Sequence, residues 1–242
     1  MFDKALKYSY AAQKQERHKL LRIILILLFL YLLYNVISSF FFSVWVLQND
    51  AMQPGLHAGD RFLVASSRLP LLLAHIKPTE GIIPFKRGNI VLLDTRREIE
   101  QNWFLTAADN LVRTFTAQQY CIFNPEKHLY IKRIVALPGD EISMTNFVLR
   151  IRPAGSSYTL TEFELSERPY HPNIPQMPAL WDEKIPFSGS MENMVLGPGE
   201  YFLVSDDRGN TNDSRTWGPV SVKEITGRPV FRFWPPARIG RP

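Results

Sequence analysis

The stretch "YIKRIVALPGD", residues 130–140, reads as a β-strand running into a tight turn. β-Branched and aromatic residues fill it, and Pro138, Gly139 and Asp140 end it. Successive strand residues point to opposite faces. Lys132 therefore shares a face with Tyr130, Ile134 and Ala136, while Arg133 points away with Ile131 and Val135. A lysine among apolar neighbours loses hydration of its charged form, which lowers its pKa and suits it to general-base work near neutral pH. The competing reading is an edge-strand lysine with its head in water, and this segment alone favours it.

Working outward, the chain offers more short β-rich runs divided by Gly, Pro, Asn and Asp. They are "DRFLVAS" (60–66), "NIVLLDT" (89–95), "HLYIKRIVAL" (128–137), "EYFLVSD" (200–206), "PVFRFW" (229–234) and the weaker "TNFVLRI" (145–151). Residues 96–127 read as an insertion, partly helical around "FLTAADNLVRTF". Residues 152–198 hold seven prolines and predict an irregular second lobe. The apolar "LPLLLAHI" (69–76) fits either a core segment or a lip dipping into a bilayer surface. The expected fold is mainly β: an antiparallel β domain behind one N-terminal helix, with that lobe inserted.

Residues 23–47 form a 25-residue run without a charge. It is long enough to span a hydrocarbon core of roughly 30 Å as a helix, and too long and bulky for a cleaved secretory leader. Residues 1–22 carry six Lys/Arg against two acids. This predicts a basic cytoplasmic tail, a single-pass anchor at 23–47, and residues 48–242 on the outer side of a bacterial cytoplasmic membrane, in contact with the lipid bilayer. The other 220 residues are nearly balanced, 22 Lys/Arg against 21 Asp/Glu, so the charge argues against nucleic acid as a partner. The lone Cys121 excludes an intrachain disulfide and a multi-cysteine metal site.

Two further blocks bear chemistry. "SDDRGNTNDSRTWGPV" (205–220) is a polar turn in which Asp213 and Arg215 can pair and fix the geometry of Thr211 and Ser214. "LQNDAMQPGLHAGD" (47–60) follows the apolar run. With "RGNIVLLD" and "YIKRIVALPGD", in this order behind an anchor, these blocks resemble bacterial signal peptidase I, over roughly residues 15–66, 84–145 and 196–236.

The resemblance implies a serine endopeptidase with a Ser/Lys dyad that removes signal peptides from exported preproteins, without a metal or organic cofactor. By motif, it makes Lys132 the general base and Thr211 the hydroxyl residue that orients it. Asp213 and Arg215 become the supporting ion pair, and Met52 follows the nucleophile position. Asn49 stands where the family has an oxyanion-stabilising serine.

The nucleophile position itself holds Ala51. A methyl group cannot attack a carbonyl. Two origins are open, an engineered Ser-to-Ala change and natural loss. Asn49 and Gly55, which also depart from the family pattern, favour the second. Among other hydroxyls, Ser66 and Ser67 lie about fifteen residues downstream, and Thr211 belongs beside the lysine. The chain as written is thus expected to be catalytically impaired. The alternative is a non-catalytic, membrane-anchored paralogue that binds signal-peptide-like segments and regulates or partners an active copy.

Overall fold

A computed structural model describes residues 10–67, 85–95, 112, 129–176 and 189–242. The expected lip at 69–76, Cys121, and the insertion at 96–127 apart from Val112 lie outside the described residues.

The chain divides into two units, 1–41 and 42–242. The first contains helix α1, Tyr10–Phe40. No Gly or Pro interrupts it, and leucine and isoleucine dominate its middle. The large apolar side chains described there, from Leu20 to Tyr34, are exposed apart from the half-buried Tyr31. Among the described residues no helix is long and apolar enough to cross a membrane. Side chains at 35–40 lie outside the described ones, so the apolar surface can be followed only to Tyr34.

The second unit is built on two antiparallel sheets. Its strands are β1 (Phe42–Val46), β2 (Arg61–Ser66), β3 (Ile90–Asp94), β4 (Leu129–Ala136), β5 (Glu141–Thr145), β6 (Val148–Arg152), β7 (Leu160–Thr161), β8 (Met191–Val195), β9 (Glu200–Val204), β10 (Val220–Ser221) and β11 (Ile225–Trp234). The larger sheet runs β1-β2-β11-β3-β4-β9-β10 and the smaller β7-β6-β5-β8. Two single-turn helices, α2 (Glu162–Leu165) and α3 (Ser214–Trp217), complete the regular elements that matter below.

All five clear strand predictions correspond to observed strands, β2, β3, β4, β9 and β11. The differences have physical causes. The uncharged run does not stay helical to Leu47: it ends at Phe40, and Phe42–Val46 pairs with β2 in regular register from Phe42↔Ala65 to Val46↔Arg61. An apolar, β-branched and aromatic end satisfies a buried strand as well as an anchor. The weaker run at 145–151 is cut by a two-residue hairpin turn. Asn146 and Phe147 take positive φ, and Thr145 pairs with Val148.

The Pro-rich lobe is more regular than its composition suggests. It contributes β7 and β8 to the small sheet and the helix α2 next to β7, and among its described prolines Pro153, Pro169, Pro172, Pro175 and Pro198 all lie outside strands. This sheet has its own apolar core, around Ile142, Met144, Leu149 and Ile151, joined to Val135 and Ala136 of β4 and to Phe202 and Val204 of β9. β4 thus contributes to three apolar clusters, through Val135 and Ala136, through Ile131 and through Ile134. It is hydrogen-bonded on both sides, to β3 and β9, which overturns the edge-strand reading of its lysine.

Candidate active site

Three segments build the site: the β1–β2 loop, β4, and the polar loop after β9. The β1–β2 loop is closed at its base by two backbone bonds, Leu47 N–H to the Asp60 carbonyl (2.9 Å) and Gly59 N–H to the Leu47 carbonyl (2.8 Å). Met52 and Leu56, joined by a turn bond of 2.9 Å, drop their side chains into an apolar cluster with Leu47, Phe62, Val64, Ile90, Leu92 and Ile131. Ala51 is almost fully buried beside them. Its N–H donates to Asn49 Oδ1 at 3.3 Å, and its carbonyl accepts from Asp207 N–H at 3.0 Å. Asn49 therefore lies against Ala51. Its NH2 remains as a donor, while the Ala51 amide is engaged by a long, weak bond.

Lys132 is 1% exposed. Its Nζ donates to Ser205 Oγ at 2.7 Å, and the rings of Tyr130 and Trp217 each stand with their centres 5.9 Å from it. Burial pushes the amine down to about 8, against the upward pull of Asp213. This is the direction expected from its apolar neighbours on the strand.

The polar loop fixes that arrangement. Ser205 N–H donates to Asp213 Oδ2 at 2.8 Å. Arg215 holds the same carboxylate from the other side, through Nε at 2.9 Å and Nη2 at 2.7 Å. It also reaches the Arg208 and Asn210 carbonyls at 2.9 and 2.6 Å. Burial pushes the Asp213 carboxyl up, but these donors outweigh it and keep the group below its ordinary range. The pair supports both a strand end and a loop.

The hydroxyl touching Lys132 is thus that of Ser205. Thr211, half-buried, contributes its backbone carbonyl, which accepts from Asp213 N–H at 2.8 Å and from the Thr216 hydroxyl. Ser205 was quoted in the motif but carried no role on the sequence. Its position follows from register: Arg133 pairs with Val204, so the residue after Val204 lies opposite Lys132. Ser205 and Asp207, two residues apart, reach Lys132 and Ala51 respectively. Lys132 and Ala51 are thus held by one loop.

Arg133, on the opposite face, makes a second buried pair, with Nε and Nη2 to the two Asp206 oxygens at 2.7 and 2.6 Å. Its other end donates to the Gly88 carbonyl at 2.7 Å.

The buried amine has a consequence for stability. Folded Lys132 releases its proton near about 8, whereas an unfolded lysine holds it to about 10.5. Between these values the unfolded chain binds more protons, so stability rises with pH. The urea midpoint of the full chain in detergent is expected to climb across this window, and Lys132→Met should flatten the climb. Identical pH profiles for the two proteins would contradict a buried, depressed amine.

Comparison with known proteins gives the family. The family model described as signal peptidase, peptidase S26, matches residues 20–234. Signal peptidase I P of Bacillus subtilis subsp. natto is 24% identical over 240 residues, covering 99% of this chain and 98% of that protein. Signal peptidase I of Bacillus licheniformis is 25% identical over 202 residues, 83% of this chain and 81% of its own. Thylakoidal processing peptidase 1 of Arabidopsis thaliana is 43% identical over 111 residues, which is 46% of this chain but only 26% of that longer protein. The probable thylakoidal processing peptidase 2 is likewise matched over 24% of its length. With the match spanning both the lysine strand and the Asp213/Arg215 loop, the chain belongs to the signal peptidase family, peptidase S26.

Proposed function

We propose that this protein is a membrane-anchored receptor for signal-peptide segments of exported preproteins, with its cleavage chemistry impaired by the methyl group at position 51. The observation that carries this reading is the retained apparatus around Ala51. Lys132 is buried with a lowered pKa, Ser205 and the Asp213/Arg215 pair support it, and the apolar cluster beneath Met52 and Leu56 is intact. The site keeps these groups around a buried methyl. It has no hydroxyl at Ala51 for Lys132 to deprotonate.

The uncharged part of α1, residues 23–40, would measure about 27 Å as a helix, close to a hydrocarbon core of roughly 30 Å. The basic tail before it supports a cytoplasmic N-terminus and residues 48–242 on the outer face. In this reading the protein binds precursors at the outer surface of a bacterial cytoplasmic membrane, beside or upstream of an active paralogue.

A signal peptide carrying a photoreactive group at its cleavage residue tests this on sealed membrane vesicles. Added from the outer face, it is expected to label the β1–β2 loop around Ala51 and Met52, in competition with unlabelled signal peptide. Protease added to the same face should remove residues 48–242. Label elsewhere in the chain, or protection of the C-terminal part from that face, would sink the receptor or the orientation respectively.

A further inference from the structure

On the face of the larger sheet opposite Lys132 lies a cavity of about 670 Å³. Its floor is the Arg133–Asp206 pair. The start of β3, Gly55 of the β1–β2 loop, the segment 168–171, β11 and the segment 241–242 form its walls.

The charges around it do not balance. Asp206 is the only carboxylate side chain among the described residues that line it, beside the terminal carboxylate of Pro242, and both Asp206 oxygens already accept from Arg133. Arg133 is spent in turn: it also reaches the Gly88 carbonyl and stacks on the Tyr170 ring at 4.1 Å. Three more arginines, Arg168, Arg228 and Arg241, line the cavity, with His171 among the lining residues. All four side chains are exposed. Among the described residues none of the three arginines has an ion-pair partner, and Arg228 meets only the neutral Asn89 Oδ1, at 3.4 Å.

Three like charges from three separate chain segments repel one another unless an anion joins them. The geometry points to a binding site for an organic phosphate in this cavity, held by Arg168, Arg228 and Arg241. The guanidinium fork matches phosphate oxygens in pairs, and a phosphate can engage several forks at once, whereas one carboxylate offers two oxygens and a single charge. The volume far exceeds a bare phosphate and falls within the range of small-molecule sites, roughly 300–1,000 Å³. Ile90, Tyr170, Pro229 and Val230 supply apolar wall for the organic part. A soluble phosphate ester and a phospholipid headgroup share this chemistry.

Isothermal titration of the full chain in nonionic detergent, with three separate probes, distinguishes the sources. Saturable one-site binding of glycerol 3-phosphate would support the site and identify a soluble ester. Saturable binding of dihexanoyl phosphatidylglycerol, with glycerol 3-phosphate inert, would support it and identify a headgroup. In either case the Arg168→Gln/Arg241→Gln variant should bind about 10–100-fold more weakly, as expected for losing charge-assisted hydrogen bonds. Arg228→Gln provides a second, independent reading, because its side chain is also exposed. Pentaglutamate is the third probe. Tighter binding of it than of either phosphate, no saturable binding of the phosphates, or affinities unchanged in both variants would overturn the assignment.

Discussion

Ala51→Ser is expected to turn this protein into a working signal peptidase. Position 51 is already placed: its amide meets Asn49, its carbonyl meets Asp207, and the loop containing Asp207 also holds Lys132 through Ser205. An amine lowered to about 8 is substantially unprotonated in mildly alkaline buffer. Neutral Lys132 would take the Oγ proton as the new serine bonds the scissile carbonyl carbon. It would then deliver that proton to the leaving amine as the C–N bond breaks, and water activated by the same lysine would hydrolyse the ester. In another serine protease, loss of the nucleophile lowers turnover by on the order of 10⁶-fold. A gain of at least ~10³-fold over the chain as given is therefore expected when a preprotein is followed on gels. Lys132→Met in the serine background should return cleavage to the starting level. Full cleavage by the unmodified chain would refute impairment at position 51, and an inert Ala51→Ser variant would place the defect elsewhere in the site.

The largest expected loss of stability lies away from the chemistry, at Glu162. Arg208 sits in the polar loop, yet its guanidinium is wholly buried against the small-sheet lobe. It donates to both Glu162 oxygens, at 2.8 and 2.5 Å, and to the Phe147 carbonyl at 2.8 Å. Glu162 also accepts from Leu149 N–H at 3.1 Å and from the Tyr170 hydroxyl at 2.5 Å. Glu162→Ala strips a buried cation of its carboxylate, and such losses run to about 3–5 kcal/mol. The variant is expected to show a sharply lower urea midpoint by tryptophan fluorescence. A loss under about 1 kcal/mol, as typical of exposed pairs, would mean that water reaches Arg208.

What could be read beforehand followed the range of the interactions. The apolar company of Lys132 was legible on "YIKRIVA", whereas its place on an inner strand was not, because period-two patterning is local. Asp213 and Arg215, two residues apart, were legible as a pair for the same reason. Ser205 was not, because its meeting with Lys132 depends on how β4 and β9 are registered across 73 positions of sequence. The Arg208–Glu162 pair escaped for a similar reason, being made between a loop and a lobe whose prolines read as irregular structure. The strand at Phe42–Val46 was masked by the apolar run before it. Hydropathy marks burial in protein and in lipid alike.

The grip on Ala51 is made entirely through its main chain, by one amide and one carbonyl. Exchange of that side chain therefore leaves both hydrogen bonds their donors and acceptors. Reactivity and architecture are separable here: a lineage can lose the first in a single step and keep inheriting the second. A laboratory can equally install a thiol, a hydroxyl or nothing at all in a cradle that does not depend on which is present.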